Sequence, residues 1–308
     1  MLDMLVVGGG YVGLAAAVAV KQAAPHLEVQ VVEAAPAGVW EKDERASAII
    51  AAASQMLDIL GTWDEILPHA QPINRMIVTD SRTSDPVRPV FLTFDGTIQA
   101  GKGVAEEHFL PSGPFAILPL TNNRSSLVWT ERTDAAERLM ASDDLIFEEE
   151  LQRRFGHKLG EIRLVGGRKA YPLSLTLSRA FVAPRFALAG DAAHGIHPIS
   201  GQGLNLGFKD VAALAETVVE ADRLGLDIGS LNVLERYQSW RRFDTFRMGV
   251  TTDVLNRLFS NDVTPIRIAR DFGLGVVERL PKIKDFFIGQ AAGTTVKDNP
   301  KLLSGRSI

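Results

Sequence analysis

The chain has no cysteine among its 308 residues. It therefore has no disulfide, no thiolate metal site and no cysteine nucleophile. An excess of basic residues is also missing, since 33 Lys and Arg stand against 37 Asp and Glu, for a net charge of −4. A nucleic-acid partner requires a basic surface, so no such partner is expected.

Long apolar runs are missing as well. The N-terminus has no basic stretch before its apolar residues and no small-residue cleavage site after them, which argues against a secretory signal. The apolar run from Leu14 to Val20 ends at Lys21, well short of the roughly 20 residues that span a bilayer. We expect a cytoplasmic protein, and a peripheral position at the inner face of the membrane stays open.

The first residues follow the pattern of a βαβ unit. An apolar strand is predicted at Met4 to Val7, an Ala-rich helix at Leu14 to Ala24, and a second strand at Glu28 to Glu33. Pro25 ends the helix because it cannot continue the hydrogen-bond ladder. A further helix is predicted over residues 44–60.

The composition then changes to segments rich in β-branched and aromatic residues, separated by turn residues. This pattern predicts an antiparallel sheet. Its segments are residues 73–80, 87–94, 109–120 and 125–131, with Asn122-Asn123 at a turn. Later predictions are a helix over 142–155 with Ser142 as N-cap, strands over 162–172 and 180–189, and mostly helix after Leu204. The fold class is α/β: a Rossmann-like domain (1–72 and 173–308) with an inserted antiparallel β-sheet domain (73–172) and C-terminal helices.

A Gly-rich loop, Gly8-Gly9-Gly10-Tyr11-Val12-Gly13, joins the first strand to the first helix. Gly8 permits the tight turn, Gly10 lets the backbone approach a pyrophosphate, and Gly13 allows close packing of helix on strand. Glu33, at the end of the second strand, can accept hydrogen bonds from a ribose. The alternative is a Gly-rich turn without a ligand, and the motif alone does not separate FAD from NAD.

A second Gly-rich segment spans residues 186–208, where an apolar strand leads into Gly190-Asp191. It resembles the Gly-Asp motif of the flavoprotein aromatic hydroxylases typified by para-hydroxybenzoate hydroxylase. The run from Gly201 to Asn205 and the preceding His197-Pro198 resemble the ubiquinone-biosynthesis hydroxylases within that group. Further segments that resemble this family are residues 45–49, 60–63, 70–73, 107–111, 119–120 and 171–173.

The resemblance implies an FAD-dependent monooxygenase, with NAD(P)H as transient electron donor and O2 as co-substrate. A flavin C4a-hydroperoxide would transfer oxygen to an aromatic ring, here a polyprenylated phenol on the way to ubiquinone. A contact with the membrane or with a ubiquinone-synthesis complex is compatible with such a substrate. No metal site is expected.

The resemblance also assigns site residues. Gly8, Gly10 and Gly13 would hold the FAD pyrophosphate, and Glu33 the adenosine ribose. Arg45 would lie near the pyrophosphate, although an exposed arginine there needs no functional explanation. Asp191 would bind the ribityl chain. The segment expected to face the isoalloxazine ring contains Pro198, Gly201, Gly203, Leu204 and Asn205; no residue is assigned a certain catalytic role.

The chain departs from the family in one place. Between Phe91–Gly96 and Glu106, where family members have further strands of the cofactor domain, only about ten residues stand. Either the deletion is real, or the sequence joins two segments of a longer chain. We favour the second, because losing those strands would leave sheet edges unpaired.

Several residues admit two interpretations. His194 and His197 are either loop residues that shape the flavin site or a base or metal ligand, and His108 either points into a substrate cavity or is a satisfied residue at a strand edge. The basic, amphipathic region from Leu255 to Ile288 either lies on a membrane or packs as a helical cap. Besides the ubiquinone-pathway enzyme, a hydroxylase of a soluble phenol and a non-catalytic FAD-binding or assembly subunit remain as alternatives.

Overall fold

The computed structural model describes residues 2–43, 45–80, 90–95, 103–156, 160–195, 202–259 and 299–308. These residues form two compact units. Unit one contains residues 1–70 and 174–253 together with the described C-terminal residues 299–308, and unit two contains residues 71–173 and 254–259.

Unit one opens with the expected βαβ arrangement. Strand β1 (Met4–Val7) pairs in parallel with β2 (Val29–Val32), and helix α1 (Tyr11–Ala23) connects them. The helix begins three residues earlier than predicted because Gly10, in an extended conformation, is already its N-cap. Its alanines at 15, 16 and 19 are buried, and α1 packs closely against the long helix α6 (Gln202–Arg223).

The predicted helix over 44–60 is shorter than expected. Helix α2 (Ala51–Ile59) begins only at Ala51, and residues 45–50 are irregular. The cause lies far away in sequence: the Asn205 amide accepts a hydrogen bond from the Ile50 N–H (3.0 Å) and donates one to the Ala48 carbonyl (2.9 Å). These bonds hold the segment outside a helix. Helix α3 (Trp63–Ile66) follows.

Unit two contains a mixed five-stranded sheet. Its strands are β3 (Arg75–Asp80), β4 (Val90–Asp95), β5 (Val104–Leu110), β6 (Gly113–Leu120) and β7 (Arg124–Trp129), in the spatial order β4-β3-β5-β6-β7. The predicted antiparallel pairing is correct for each neighbouring pair except β3 and β5, which run parallel. The β6–β7 turn lies at Asn122 and Asn123, whose positive φ angles of 61° and 56° suit a tight hairpin.

One face of this sheet packs on a helix. Helix α5 (Asp144–Phe155) confirms the helix predicted over 142–155, and helix α4 (Thr133–Ala141), which precedes it, was not predicted. Asp143, rather than Ser142, caps α5 by accepting a hydrogen bond from the Ile146 N–H at 2.8 Å. Phe115 is fully buried in the cluster that includes Phe147 of α5.

Two predicted strands are wrong. Residues 162–172 contain no strand. The predicted strand over 180–189 is a tight hairpin of β9 (Val182–Ala183) and β10 (Phe186–Ala187). Pro184 lacks an N–H, and Arg185 adopts a left-handed conformation with φ of 59°, so the chain reverses there.

The remaining elements lie in unit one, except that the last residues of α7, 254–259, belong to unit two. Strand β8 (Thr176–Leu177) pairs with β11 (His194–Gly195), and helix α7 (Leu231–Phe259) follows α6. Short 3-10 turns lie at Val39–Lys42, Leu67–His69, Gly190–Ala192 and Lys301–Ser304. Within the described ranges, every helix is too short or too polar to cross a bilayer.

Candidate FAD-binding site

The Gly-rich loop between β1 and α1 is shaped for a ligand with phosphates. Gly8 has a φ of +113°, which disfavours any other residue, and a Cβ on Gly13 would lie 2.0 Å from the Gly8 carbonyl oxygen. At Gly8 and Gly10, by contrast, a Cβ would meet no described atom within 4 Å. Gly13 is therefore needed for the loop itself, whereas the open side at Gly10 leaves the backbone accessible to a pyrophosphate at the N-terminus of α1.

Glu33 lies beside this loop, as the sequence predicted for an acid at the end of β2. Its carboxylate accepts hydrogen bonds from the backbone N–H groups of Gly9 (2.5 Å) and Ala35 (2.9 Å). These bonds, the one from Ala35 first, lower the pKa of the Glu33 carboxyl below its ordinary value of 4.5. Glu33 is exposed, so a ribose can reach an ionised carboxylate that is already fixed in place.

The second Gly-rich segment meets the first at Val12. Gly190 has a φ of +62°, and a Cβ placed on it would lie 3.2 Å from Val12 Cγ1. A Cβ on Gly207 of α6 would lie 2.5 Å from Val12 Cγ2. Two glycines from the distal segment thus allow it to approach the N-terminal loop. Asp191 follows Gly190 in an exposed 3-10 turn, where its carboxylate is accessible to hydroxyl groups.

The remaining predicted flavin residues divide into two groups. Pro198, Gly201 and His197 lie outside the described residues. Gly203, Leu204 and Asn205 lie in the first turn of α6. Asn205 is 1% exposed and its amide is engaged with the backbone of residues 48 and 50, so it acts on the protein's own chain in this structure.

Arg45 is exposed and forms an ion pair with Asp43, with Nη2 at 2.6 Å from Oδ2. Its assignment to the pyrophosphate stays a prediction.

The sequence did not predict a buried cluster of charged residues that lies behind the Gly190–Asp191 turn. Asp210 of α6 and His194 are both fully buried, and Asp210 Oδ2 lies 2.6 Å from His194 Nε2. Arg241 of α7 pairs with the other oxygen, Nε to Oδ1 at 2.8 Å. The spacing of these residues follows no motif, so only the meeting of α6, α7 and the turn identifies them.

The structure also shows the surroundings of His194 and His108, for each of which the sequence left two interpretations open. His194 is a buried partner of Asp210, and the described residues contain no group of three or more His, Asp and Glu that could hold a metal. His108 is 3% exposed, and its Nδ1 lies 2.7 Å from the Thr79 hydroxyl. It lies in β5, in the middle of the sheet rather than at its edge, and among the described residues its Nε2 has no hydrogen-bond partner, although it lies 3.3 Å from Glu106 Oε2.

The open Gly10 backbone, the fixed Glu33 carboxylate and the accessible Asp191 are features that a dinucleotide-binding protein requires. The family model described as "FAD binding domain" matches residues 76–242, more than half of the chain. The chain belongs to this FAD-binding family. Its cofactor is FAD, and the two Gly-rich segments that meet at Val12 fit a long dinucleotide with phosphates at one part and hydroxyls at another.

Curated relatives agree with this assignment. The chain is 51% identical over 206 residues to ubiquinone hydroxylase UbiL of Rhodospirillum rubrum, which covers 66% of this chain and 48% of that protein. It is 38% identical over 188 residues to 3-demethoxyubiquinol 3-hydroxylase of Escherichia coli, covering 61% and 48%. The chain spans about half the length of the curated relatives it matches.

The fold is that of flavoprotein monooxygenases. The structure of p-nitrophenol 4-monooxygenase PnpA from Pseudomonas putida superposes with a TM-score of 0.73 at 16% identity, covering 97% of this chain and 99% of that one. Klebsiella pneumoniae HpxO, solved with FAD and uric acid, gives 0.63 at 14% identity, covering 95% and 96%. The predicted fold class is confirmed.

Proposed function

We propose that this protein is an FAD-dependent monooxygenase that hydroxylates an aromatic ring. The observation that carries the proposal is the meeting of the two Gly-rich segments at Val12, in a chain half identical to a protein named ubiquinone hydroxylase over 206 residues. Bound FAD supplies the redox chemistry that activates O2, with NAD(P)H as electron donor.

The residues of this chain bind and orient the cofactor. The backbone around Gly8, Gly10 and Gly13 receives the pyrophosphate at the N-terminus of α1, where N–H groups and the helix dipole favour an anion. Glu33 accepts hydrogen bonds from the adenosine ribose, and Asp191 accepts them from the ribityl hydroxyls. Arg45 exchanges its Asp43 partner for the pyrophosphate.

The proposed substrate is a polyprenylated phenol of ubiquinone biosynthesis. Support comes from the relatives, two of which are named for ubiquinone or demethoxyubiquinol. A substrate of that kind is membrane-dissolved, so we also propose a peripheral contact with the inner face of the membrane. The basic region over 255–288, which carries this contact in the proposal, lies almost entirely outside the described residues.

The test is turnover by the purified chain. We expect a yellow protein whose NAD(P)H oxidation is stimulated by a prenylphenol, with one added oxygen in the product by mass spectrometry. Stimulation by an unprenylated phenol alone would indicate the related hydroxylase of a soluble substrate. NAD(P)H oxidation that yields only peroxide with each phenol would reject the hydroxylase function.

A second candidate, a non-catalytic FAD-binding or assembly subunit, is favoured by one specific observation. Among the described residues β1 pairs only with β2, and the β1 side chains of Leu5 and Val7 are 50% and 80% exposed. A central strand of a complete parallel sheet would be covered. FAD binding without NAD(P)H oxidation would support this candidate over the enzyme.

A further inference from the structure

The Gly190–Asp191 turn rests on a carboxylate that belongs to neither Gly-rich motif. Asp210 lies two turns into α6, and its side chain is fully buried. The Gly190 N–H donates a hydrogen bond of 2.9 Å to Asp210 Oδ2. The residue that adopts the left-handed conformation next to Asp191 is therefore held directly by this side chain.

The same carboxylate holds the far side of the turn. His194 Nε2 lies 2.6 Å from Asp210 Oδ2, and because a carboxylate only accepts, His194 carries its proton on Nε2. Gly190 and His194 bracket Asp191, Ala192 and Ala193. One oxygen thus fixes both ends of the segment that presents Asp191 to solvent.

The other oxygen of Asp210 compensates the buried charge. Arg241 of α7, 4% exposed, donates from Nε to Asp210 Oδ1 at 2.8 Å. Removing one partner of such a buried pair is strongly destabilising, whereas replacing both partners by well-packed neutral residues often changes stability little. The ion pair and the loop hydrogen bonds can therefore be tested separately, since each uses its own oxygen.

We propose that Asp210 is a positioning residue for FAD, acting through the Gly190 N–H and His194 to hold Asp191 where the cofactor's hydroxyls reach it. This role deepens the FAD site on which the proposed function rests. If the Asp210 carboxylate served only to pair with Arg241, its removal would leave the conformation of the Gly190–Asp191 turn unchanged. The two possibilities differ in what happens to FAD binding when the acceptor at Oδ2 is removed.

A pair of double variants separates them. Asp210→Asn with Arg241→Gln removes both charges and keeps a carbonyl that can accept from Gly190 and His194. Asp210→Leu with Arg241→Met removes both charges and also the acceptor. We expect the first to bind FAD within about threefold of the wild type and the second to bind at least tenfold more weakly, which corresponds to about 1.4 kcal/mol. Quenching of flavin fluorescence gives the affinity, and the visible circular dichroism of bound flavin reports its environment.

Glu216 provides the matched control. It lies on the same helix, is 6% exposed, and likewise accepts a backbone hydrogen bond, from the Lys301 N–H at 2.7 Å. Glu216→Leu therefore also removes a nearly buried acceptor from α6, but at the C-terminal segment. We expect it to lower stability and to leave FAD affinity and the flavin spectrum unchanged. An equal loss of FAD affinity in this control would overturn the proposal.

Hydrogen exchange in the cofactor-free wild type keeps the proposal testable if the leucine variant does not fold. The backbone amide of Gly190 should exchange at least tenfold more slowly than that of exposed Asp191, because of these two amides only the one of Gly190 donates to the buried Asp210 carboxylate. Equal exchange rates of the two amides, or equal FAD affinity of the two double variants, would overturn the positioning role of Asp210. Neither result would contradict the proposed function. A wild-type chain that takes up no FAD would reject the proposed function and this role together.

Discussion

The Val12 side chain occupies the space that a Cβ on Gly207 would need, with Cγ2 only 2.5 Å from that point. This relationship joins the N-terminal loop to α6. Gly207→Ala should therefore lower the free energy of unfolding by about 1–3 kcal/mol, in spite of the better helix propensity of alanine. Val12→Ala should restore much of this loss in the double variant. Urea unfolding of the four proteins gives the coupling energy, and strictly additive effects would contradict the contact.

Gly10 distinguishes a binding role from a structural one. It adopts a φ of −76°, which alanine tolerates, and a Cβ there meets no described atom within 4 Å. Gly10→Ala should leave the stability of the cofactor-free protein within about 0.5 kcal/mol and weaken FAD binding at least tenfold. Gly167→Ala, at an equally open glycine in unit two, is the control and should bind FAD normally. A destabilised Gly10→Ala protein would show that the loop needs this glycine for folding.

Glu33 should make the stability of the protein depend on pH in the acid range. Its folded pKa lies below 4.5, so its ionised form stabilises the fold above that value, and the contribution is lost as pH falls through the folded pKa. Unfolding free energies of the wild type and Glu33→Gln should therefore differ near neutral pH and converge below pH 4.5. A difference that grows on acidification would contradict the hydrogen bonds to Gly9 and Ala35.

The Tyr237 hydroxyl should lose its proton only at a higher pH than the hydroxyl of an exposed tyrosine. It is fully buried, and its hydroxyl donates to the Leu188 carbonyl at 2.7 Å, just before the Gly190 turn. Burial first, and then the nearby Asp210 charge, raise the pKa of this phenol well above 10. Its neutral form therefore stabilises the fold below pH 10, and stability falls as pH rises through the folded pKa.

Ultraviolet absorbance provides the measurement for Tyr237. The wild type should show a phenolate component that appears only well above pH 10 or on unfolding, and Tyr237→Phe should lack it. The variant should also lose about 0.5–1.5 kcal/mol of stability with its hydrogen bond to Leu188. A late component that persists in the variant would assign it to another tyrosine.

The parts of the site that the sequence predicts are those with local causes. Gly8, Gly10 and Gly13 follow a strand and open a helix, and Glu33 ends the next strand, so each role follows from a few neighbouring residues. The Asn122-Asn123 turn is of the same kind, because asparagine tolerates the positive φ angles that the turn adopts.

The parts that the sequence does not predict depend on partners outside the local segment, from 16 to 155 residues away. The first residue of α2 depends on the hydrogen bond between Asn205 and Ile50, which are 155 residues apart. No sequence pattern within residues 44–50 predicts that the helix begins only at Ala51. Asp210 resembles any polar residue in a helix until Gly190, His194 and Arg241 are brought to it. The failed strand over 180–189 is different, since Pro184 gave a local signal for the reversal.

The packing of α1 on α6 has a consequence for how the chain is made. The two helices, Tyr11–Ala23 and Gln202–Arg223, are about 190 residues apart in sequence. At roughly 5–20 residues per second, a ribosome needs about 10–40 s to supply the second after the first. Throughout that interval α1 lacks its native contact with α6. The time for which this surface of α1 stays uncovered in the nascent chain is therefore set by the speed of translation.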